Sequence, residues 1–384
     1  MLNNFDQFLD LPEDIINIII YFTKCKVYDL CLVNKYLDNN SKKIKILSNK
    51  EYPKLSIKNL KELVNLKSLY IDYDEYDILF TNGGINYLNF LNNLTYLKIN
   101  EENFRINDSS IKILTNLRSL KINNNKIITS EAIKNLHKLT RLDISGCNIH
   151  DESIKDLTML TDLNIHENKY ITNEGLKNLT NITSLDLGYN DNITSIKNFP
   201  KLTYLNLFSN SKITDCQIKY LTNLTSVKLD YNTTITNIGI KGLTNITSII
   251  LNGNNKITED GLKDLTNTTH IDLCDNHTIS GNFLEEMKNL RSLGLGMEND
   301  ITNIELKKLT NLTFLDIWGN NVISDDGITN LTNLTKLEVI ENRLITNDGI
   351  KYLTNLEIIN AFENDNITNE IKKYLPKLKR LIEI

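Results

Sequence analysis

The residues best able to do chemistry in this sequence are five histidines and five cysteines, distributed over 384 residues. The histidines show no HExxH spacing and the cysteines no CxxC spacing, so neither set predicts a metal site or a redox centre. His270 and Cys274 stand four residues apart, and such a pair could act as base and nucleophile. Because no motif for an oxyanion site accompanies the pair, we expect no catalysis from it and structural roles for the histidines.

Other catalytic signatures are also missing from the sequence. Gly294-Leu295-Gly296 is a GxG triplet inside a strand-like run, without the strand-turn-helix context of nucleotide-binding loops. No GxSxG, P-loop or kinase motif occurs. The acidic residues Asp74, Glu75 and Asp77 are typical of a solvated loop. The sequence therefore predicts a protein that is not an enzyme and that needs neither a cofactor nor a metal.

Composition limits the class of protein further. Asparagine, leucine and isoleucine number 58, 58 and 52, about 44% of the chain, while 40% of all residues are apolar. A biased composition with a normal apolar fraction indicates a repeated unit rather than disorder. The net charge of −5, from 43 basic and 48 acidic residues, argues against a partner made of nucleic acid.

Cysteine usage and the N-terminus bear on location. The cysteines Cys25, Cys31, Cys147, Cys216 and Cys274 are odd in number and widely spaced, which favours reduced thiols. The first residues contain no basic leader segment, and the apolar stretch at 15–22 is too short to span a bilayer. We therefore expect a cytoplasmic protein without membrane contact.

A repeat of the form L-x-x-L-x-L-x-x-N occupies most of the chain, and its last seven steps are all 22 residues long. In the unit that starts at Ile182, the alternation of apolar residues through Leu185 and Leu187 predicts a short strand with one buried face. The first apolar positions are Leu94, Leu117, Leu139, Leu160, Ile182, Leu202, Leu224, Ile246, Thr268, Leu290, Leu312, Leu334, Leu356 and Leu378.

The ninth residue of the unit is asparagine in ten of thirteen complete units. A side-chain amide both donates and accepts hydrogen bonds, so it can satisfy backbone groups where the chain leaves the strand. In the three other units the ninth residue is Cys147, Glu102 or Glu298. Each glutamate precedes an asparagine, which suggests a local shift by one residue. Other asparagines, such as Asn178 and Asn181, have no such requirement, and we attribute them to codon bias. The ten asparagines are residues 125, 168, 190, 210, 232, 254, 276, 320, 342 and 364.

The return segment of each unit predicts a short helix of two or three turns, stabilised by packing. Apolar residues three apart, such as Leu176 and Leu179, fit helical spacing. Thr302 to Glu305 form a capping box. Threonines that could cap the other helices are Thr172, Thr214, Thr236, Thr258 and Thr346.

These units resemble leucine-rich repeats of the shorter kind, over residues 55–384. The resemblance implies an α/β fold, a right-handed solenoid with a parallel β-sheet on the concave face and short helices on the convex face. We expect a helical N-terminal domain at 1–45, a linker with degenerate first repeats at 46–93, and a solenoid of about 13 units at 94–384.

The first 45 residues resemble an F-box. The motif opens at Leu11-Pro12-Glu13-Asp14-Ile15, continues through residues 18–22 and ends at Val33-Asn34-Lys35; Lys26 and the lack of a late tryptophan depart from the family pattern. The resemblance implies a substrate-recognition adaptor, in which this head docks on a Skp-type adaptor of a cullin-RING ubiquitin ligase and the repeats hold a protein substrate. Its adaptor-binding residues are Leu11, Pro12, Ile15, Ile19 and Val33. The alternative is a helical cap on a protein-binding scaffold with no link to ubiquitin.

The outward positions of the strands identify a candidate substrate-binding face. The fifth residue of each unit is acidic in five units and basic in three, so this face is acidic toward the C-terminus and suits a basic protein partner. The alternative is that polar residues merely solvate the sheet. Outward aromatic residues form two groups, which either bind a partner or cover one another. The substrate-binding candidates are Tyr189, Tyr204, Phe208 and Tyr231 in the first group, and Phe314, Trp318 and Phe362, with Met297 and Ile340, in the second.

Overall fold

The computed structural model describes residues 46–48, 67–71, 90–99, 106–297 and 299–383. The chain forms two compact units, one ending at Leu185 and one beginning at Asp186, and each is described by itself. Both units consist of consecutive turns, in which a short strand is followed by a return segment.

The strands are three or four residues long because only the third to sixth residues of each repeat are extended. In the second unit Ser226, Ser248 and His270 stand side by side in parallel register, so equivalent repeat positions become neighbours. In the first unit Leu120 and Leu142 pair in the same way. Strand bounds among the described residues are β1 Ile46–Ser48, β2 Ser68–Ile71, β3 Tyr96–Ile99, β4 Ser119–Lys121, β5 Arg141–Asp143, β6 Asp162–Asn164, β7 Ser184–Asp186, β8 Tyr204–Asn206, β9 Ser226–Lys228, β10 Ser248–Ile250, β11 His270–Asp272, β12 Ser292–Gly294, β13 Phe314–Asp316, β14 Lys336–Glu338, β15 Ile358–Asn360 and β16 Arg380–Ile382.

The helices are shorter than the sequence predicts, with one turn in place of two or three. After Asn173–Leu176 the chain continues in separate tight turns, in which the Leu179 N–H donates to the Leu176 carbonyl at 3.1 Å. The apolar spacing that suggested a longer helix is therefore met by successive turns. Helix bounds among the described residues are Asp108–Ile111, Ser130–Ile133, Asp151–Ile154, Asn173–Leu176, Asp215–Ile218, Asn237–Ile240, Glu259–Leu262, Asn303–Leu306, Asp325–Ile328 and Asn347–Ile350, with 3₁₀ segments at Asn282–Glu286 and Asn369–Lys373.

The predicted N-cap positions are confirmed, although the Thr258 side chain makes no capping hydrogen bond. Thr302 and Glu305 form the reciprocal capping box, with the Thr302 N–H donating to Glu305 Oε2 at 2.9 Å. This bond and its neighbours hold the pKa of Glu305 below its usual value, although partial burial of the carboxyl acts in the opposite direction. The threonines at the predicted N-cap positions are Thr172, Thr214, Thr236, Thr258 and Thr346.

The core of each unit repeats the same apolar positions. In the first unit Leu160, Leu163 and Ile165 are fully buried, and in the second Leu312 and Leu315 are equally inaccessible. Burying one such side chain stabilises the fold by about 1.5–3 kcal/mol. Since every turn contributes the same set, the excess of leucine and isoleucine follows directly from the architecture.

The asparagine at the ninth position has the predicted role. Asn168 Nδ2 donates to the carbonyls of Cys147 and Ile149 at 3.1 and 3.2 Å, and Oδ1 accepts the N–H groups of Tyr170 and Ile171, both at 2.9 Å. The buried amide therefore uses both of its donor hydrogens and accepts two hydrogen bonds, all with the backbone of two successive turns.

The suggested shift at Glu298 is confirmed by its neighbour. Asn299 is buried, donates from Nδ2 to the Leu273 carbonyl at 3.0 Å and accepts the Ile301 N–H at 2.8 Å. The asparagine therefore moves by one residue while its function in the turn is retained. Glu102 lies outside the described residues.

A second asparagine ladder contradicts the attribution of the remaining asparagines to codon bias. Asn181 Nδ2 donates to the Thr158 carbonyl at 3.1 Å, and Asn178 Nδ2 donates to the Lys155 carbonyl at 3.4 Å. In the second unit the same bond joins each amide to the carbonyl 23 residues earlier, from Asn223, Asn245, Asn267, Asn289, Asn311, Asn333 and Asn355. These asparagines bind one turn to the preceding one in the segment that leads into each strand.

Candidate protein-binding face

In each unit, the third, fifth, seventh and eighth residues of the repeats form one surface, which we call the sheet face of that unit. The position of these side chains follows from strand alternation, because the fourth and sixth residues point into the core. In β13 Leu315 and Ile317 are buried, whereas Phe314, Asp316 and Trp318 lie on the sheet face.

The fifth position of the repeat has a structural task that the sequence did not reveal. Asp316 Oδ1 accepts the Trp318 N–H at 3.0 Å, and Asn206 Oδ1 accepts the Phe208 N–H at 3.0 Å. Each side chain thereby fixes the backbone just beyond the strand. Carboxylates and amides that make this bond are Asp143, Asn164, Asp186, Asn206, Asp272 and Asp316. The acidic column is thus partly a requirement of the fold.

Negative charges crowd one another on the sheet face of the second unit. Burial raises the pKa of Asp316 above its usual value, and the charges of Asp272 and Glu338 raise it further. Burial and the charge of Asp272 also raise the pKa of Asp230, with Lys228 opposing them. An incoming positive charge would relieve this repulsion, so the arrangement favours a basic ligand.

The first aromatic group is a row of rings in contact. The Tyr189 and Phe208 centroids lie 5.0 Å apart, and those of Phe208 and Tyr231 lie 5.7 Å apart. Phe208 is half-buried between its neighbours, whereas 51% of Tyr189 and 47% of Tyr231 are exposed. Tyr204 is half-buried. The rings therefore cover one another in part, and the two outer tyrosines still present large open surfaces.

Many turns of both units have a left-handed backbone at the eighth position, as at Glu167 and Asp275, and Tyr189 and Tyr231 follow the same pattern. Both occupy the eighth position with φ angles of 50° and 49°, a left-handed conformation, and Gly253 and Gly319 adopt it at the same position of other turns. This conformation costs a side chain about 1–2 kcal/mol that glycine avoids. The left-handed backbone is therefore a property of the repeat, and the two tyrosines differ from the polar residues and glycines of other turns in the large exposed ring that they place at this position.

The second group is more dispersed. Trp318 is 37% exposed and Phe362 is 43% exposed, and Trp318 Nε1 donates to Glu341 Oε1 at 3.4 Å. Phe314 is half-buried under Lys336, whose Nζ lies 4.7 Å from the ring centroid. Met297 and Ile340 are also half-buried. Aromatic rings and carboxylates therefore alternate on this part of the sheet face.

The comparisons with known proteins agree with this geometry. A sequence profile described as Leucine Rich repeat matches residues 135–157, 156–179, 178–195 and 308–331. An internalin from Listeria monocytogenes is 31% identical over 71% of this chain and 82% of its own, with a TM-score of 0.51. The chain belongs to the leucine-rich-repeat family. No curated protein matches it.

Two further solved structures share the leucine-rich-repeat fold. A leucine-rich-repeat protein from Leptospira interrogans is 23% identical over 91% of this chain and 98% of its own, with a TM-score of 0.51. A chain from the complex of Rad7 and Elc1 in yeast is 18% identical over 94% of this chain and 98% of its own, with a TM-score of 0.52. At these identities the likeness concerns the fold alone.

In this leucine-rich-repeat protein His270 and Cys274 do not form a catalytic pair. His270 Nδ1 lies 2.6 Å from Ser292 Oγ, and burial lowers the pKa of the imidazole. Burial, together with the charges of Asp275, Asp272 and Asp316, raises the pKa of the Cys274 thiol to about 12. A thiol of this kind stays protonated at neutral pH and is a poor nucleophile.

The Gly294-Leu295-Gly296 triplet also has a structural cause. A Cβ at Gly294 would overlap Asp272 Oδ1, and a Cβ at Gly296 would lie 2.5 Å from Cys274 Sγ. The two glycines therefore accommodate side chains from the preceding turn. The outward position of Gly294 and Gly296 was readable from the repeat register, but the close approach of the neighbouring side chains was not.

The predicted adaptor-binding residues are not among the residues that the structure describes. Leu11, Pro12, Ile15, Ile19 and Val33 lie outside the described residues. Within the described part of the chain, no group of three or more His, Cys, Asp or Glu side chains could hold a metal ion. None of the helices in the described ranges is long and apolar enough to cross a membrane.

Proposed function

We propose that this leucine-rich-repeat protein binds a protein partner through the sheet face of its second unit. The observation that carries the proposal is the pair of large exposed rings at Tyr189 and Tyr231, beside crowded carboxylates. Large aromatic residues with polar surroundings supply most of the affinity in protein interfaces. The acidic surroundings select a partner with a basic surface.

A comparison of two double variants tests this proposal. Trp318→Ala/Phe362→Ala removes exposed rings from the sheet face, and Tyr220→Ala/Tyr352→Ala removes rings that are 72% and 60% exposed near the helices. Proteins captured by each variant from the native source would be quantified by mass spectrometry. We expect a specific partner to be depleted only with the sheet-face variant. Depletion only with the helix-side variant would overturn the proposal.

We further propose that the chain is a substrate-recognition adaptor of a Skp/cullin-RING ubiquitin ligase. The F-box-like residues Leu11, Pro12, Ile15, Ile19 and Val33 support this function. A second support is the shared fold with a chain from the complex of Rad7 and Elc1, a structure in which two proteins are assembled. The N-terminal head would hold the Skp-type adaptor while the repeats present the substrate.

The adaptor function is tested by co-purification with a Skp-type adaptor. We expect Leu11→Ala/Pro12→Ala to abolish the association, because both residues belong to the apolar docking motif. Lys42→Ala/Lys43→Ala, which lies outside the motif, serves as the matched control. If deletion of residues 1–45 leaves adaptor binding unchanged, the proposal fails, and a protein-binding scaffold without a link to ubiquitin remains.

A further inference from the structure

Two buried acceptors on the sheet face lack donors. Among the described residues, Asp230 Oδ2 and Asn252 Oδ1 have no hydrogen-bond partner, and only 8% of Asp230 is exposed. They occupy the seventh position of consecutive turns, just beyond β9 and β10. Buried polar atoms are normally satisfied, so unpaired acceptors at neighbouring positions indicate a missing donor.

A third acceptor lies in the next turn. Asn252 Nδ2 donates to Asp272 Oδ2 at 3.4 Å, which aligns Asp230, Asn252 and Asp272 across three strands. Asn252 also lies within hydrogen-bonding reach of Asp230, and the charge of Lys228 acts on Asp230 without an ion pair between them in the described structure. The three side chains therefore present carboxylate and amide oxygens with a net negative charge.

The neighbours of these three residues are a glycine and an aromatic ring. Gly294 stands beside Asp272 in the adjacent strand, and the Asp272 carboxylate occupies the space that a side chain there would take. On the other side, the Tyr231 hydroxyl donates to Asp275 Oδ2 at 3.2 Å, which fixes an exposed ring beside Asp230. An aromatic ring next to carboxylates is the usual setting for a guanidinium group.

We propose that Asp230, Asn252 and Asp272 form a seat for one arginine side chain of the protein partner. This inference rests on the proposed binding function of the sheet face. A guanidinium group carries five N–H donors in a planar fork, and it can satisfy acceptors on neighbouring strands at once. An ammonium group is a compact point charge and matches separated acceptors less well.

Peptide binding by the full-length chain tests the seat directly. The probe is fluorescein-labelled hexa-arginine at low salt, followed by fluorescence anisotropy, with hexalysine for comparison. Asp230→Asn removes the buried charge, and Asp260→Asn removes a fully exposed carboxylate on a helix as the matched control. We expect Asp230→Asn to raise the Kd of hexa-arginine about tenfold and Asp260→Asn to change it less than about twofold.

Several outcomes would overturn the seat. Equal weakening by Asp230→Asn and Asp260→Asn would indicate general attraction to an acidic surface, and equal affinity for hexalysine would exclude a guanidinium-specific seat. Thermal unfolding verifies that Asp230→Asn is folded. We expect an unchanged or higher midpoint, because the variant removes a charge whose burial is unfavourable. If partner capture is lost in Trp318→Ala/Phe362→Ala but kept in Asp230→Asn, only the seat is wrong. Capture by both variants contradicts the proposed function itself.

Discussion

The Asp325 carboxylate fills the space beside Gly349, where a Cβ would overlap its Oδ1 atom. From this place it accepts the Thr346 N–H at 2.8 Å and the Thr346 hydroxyl at 2.7 Å. In the first unit Asp151 and Thr172 form the same pair of bonds beside Gly175. A glycine in the helix of one turn thus allows a carboxylate from the preceding turn to hold its cap.

Gly349→Ala should therefore destabilise the protein, although alanine is the better helix former. The added methyl group displaces the Asp325 carboxylate and breaks both bonds to Thr346, and we expect a loss of about 1–3 kcal/mol in the free energy of unfolding. Urea denaturation measures the difference. In an Asp325→Ala background the same substitution should be neutral or stabilising. An equal loss in both backgrounds would show that the carboxylate is not the cause.

The two asparagine ladders should differ in their contribution to stability. Asn276 is fully buried, donates to the Leu251 and Asn254 carbonyls at 3.2 and 2.6 Å, and accepts the Thr278 N–H at 3.0 Å. Asn276→Ala leaves these buried groups unpaired, so we expect a loss of about 2–4 kcal/mol in the free energy of unfolding.

Asn267→Ala is the matched comparison. Its single bond from Nδ2 to the Thr244 carbonyl is 3.0 Å long and exposed to water, which can replace the lost donor. We expect a loss below about 1 kcal/mol in the same urea experiment. Equal losses for Asn267→Ala and Asn276→Ala would contradict the distinction between the exposed and the buried ladder.

The second aromatic group should matter for binding more than for folding. We expect Trp318→Ala/Phe314→Ala to weaken partner capture at least about tenfold, because aromatic side chains dominate interface energetics. The melting temperature should change little, because Trp318 is 37% exposed and Phe314 packs mainly under Lys336. Differential scanning calorimetry and capture measured on the same preparation separate the two effects. A large fall in melting temperature would assign these rings to packing.

The acidic sheet face predicts a specific pH dependence. Burial raises the pKa of Asp316 in the folded state, so the folded protein binds more protons at this site than the unfolded chain. The contribution of Asp316 to stability therefore falls as the pH rises from the pKa of this carboxyl in the unfolded chain through its higher pKa in the folded protein. Asp316→Asn retains an acceptor for the Trp318 N–H but cannot ionise. We expect its stability relative to the wild type to increase from pH 4 to pH 7 in urea denaturation. A relative stability that is constant or decreases would contradict the raised pKa.

Much of the architecture could be predicted because its determinants are local. The 22-residue period, the alternation in the strands and the threonine caps depend on residues within one turn, and the Thr302–Glu305 capping box was readable directly. Strand register follows from the same period, because identical turns stack with equivalent residues side by side. The outward residues of the sheet face, including Tyr231 and Trp318, follow from that register.

Tertiary structure alone decided which polar residues bind the turns together and which remain unpaired. Asn181 appeared unconstrained until its bond to the Thr158 carbonyl, 23 residues earlier, was apparent. Likewise Asp325 meets Gly349, and Asp230 Oδ2 lacks a donor, only once neighbouring turns are in place. Periodicity within a sequence specifies which face a side chain occupies. The hydrogen bonds, close approaches and shifted pKa values of that side chain depend on the distances to atoms in the adjacent turn, and these arise only when the turns pack.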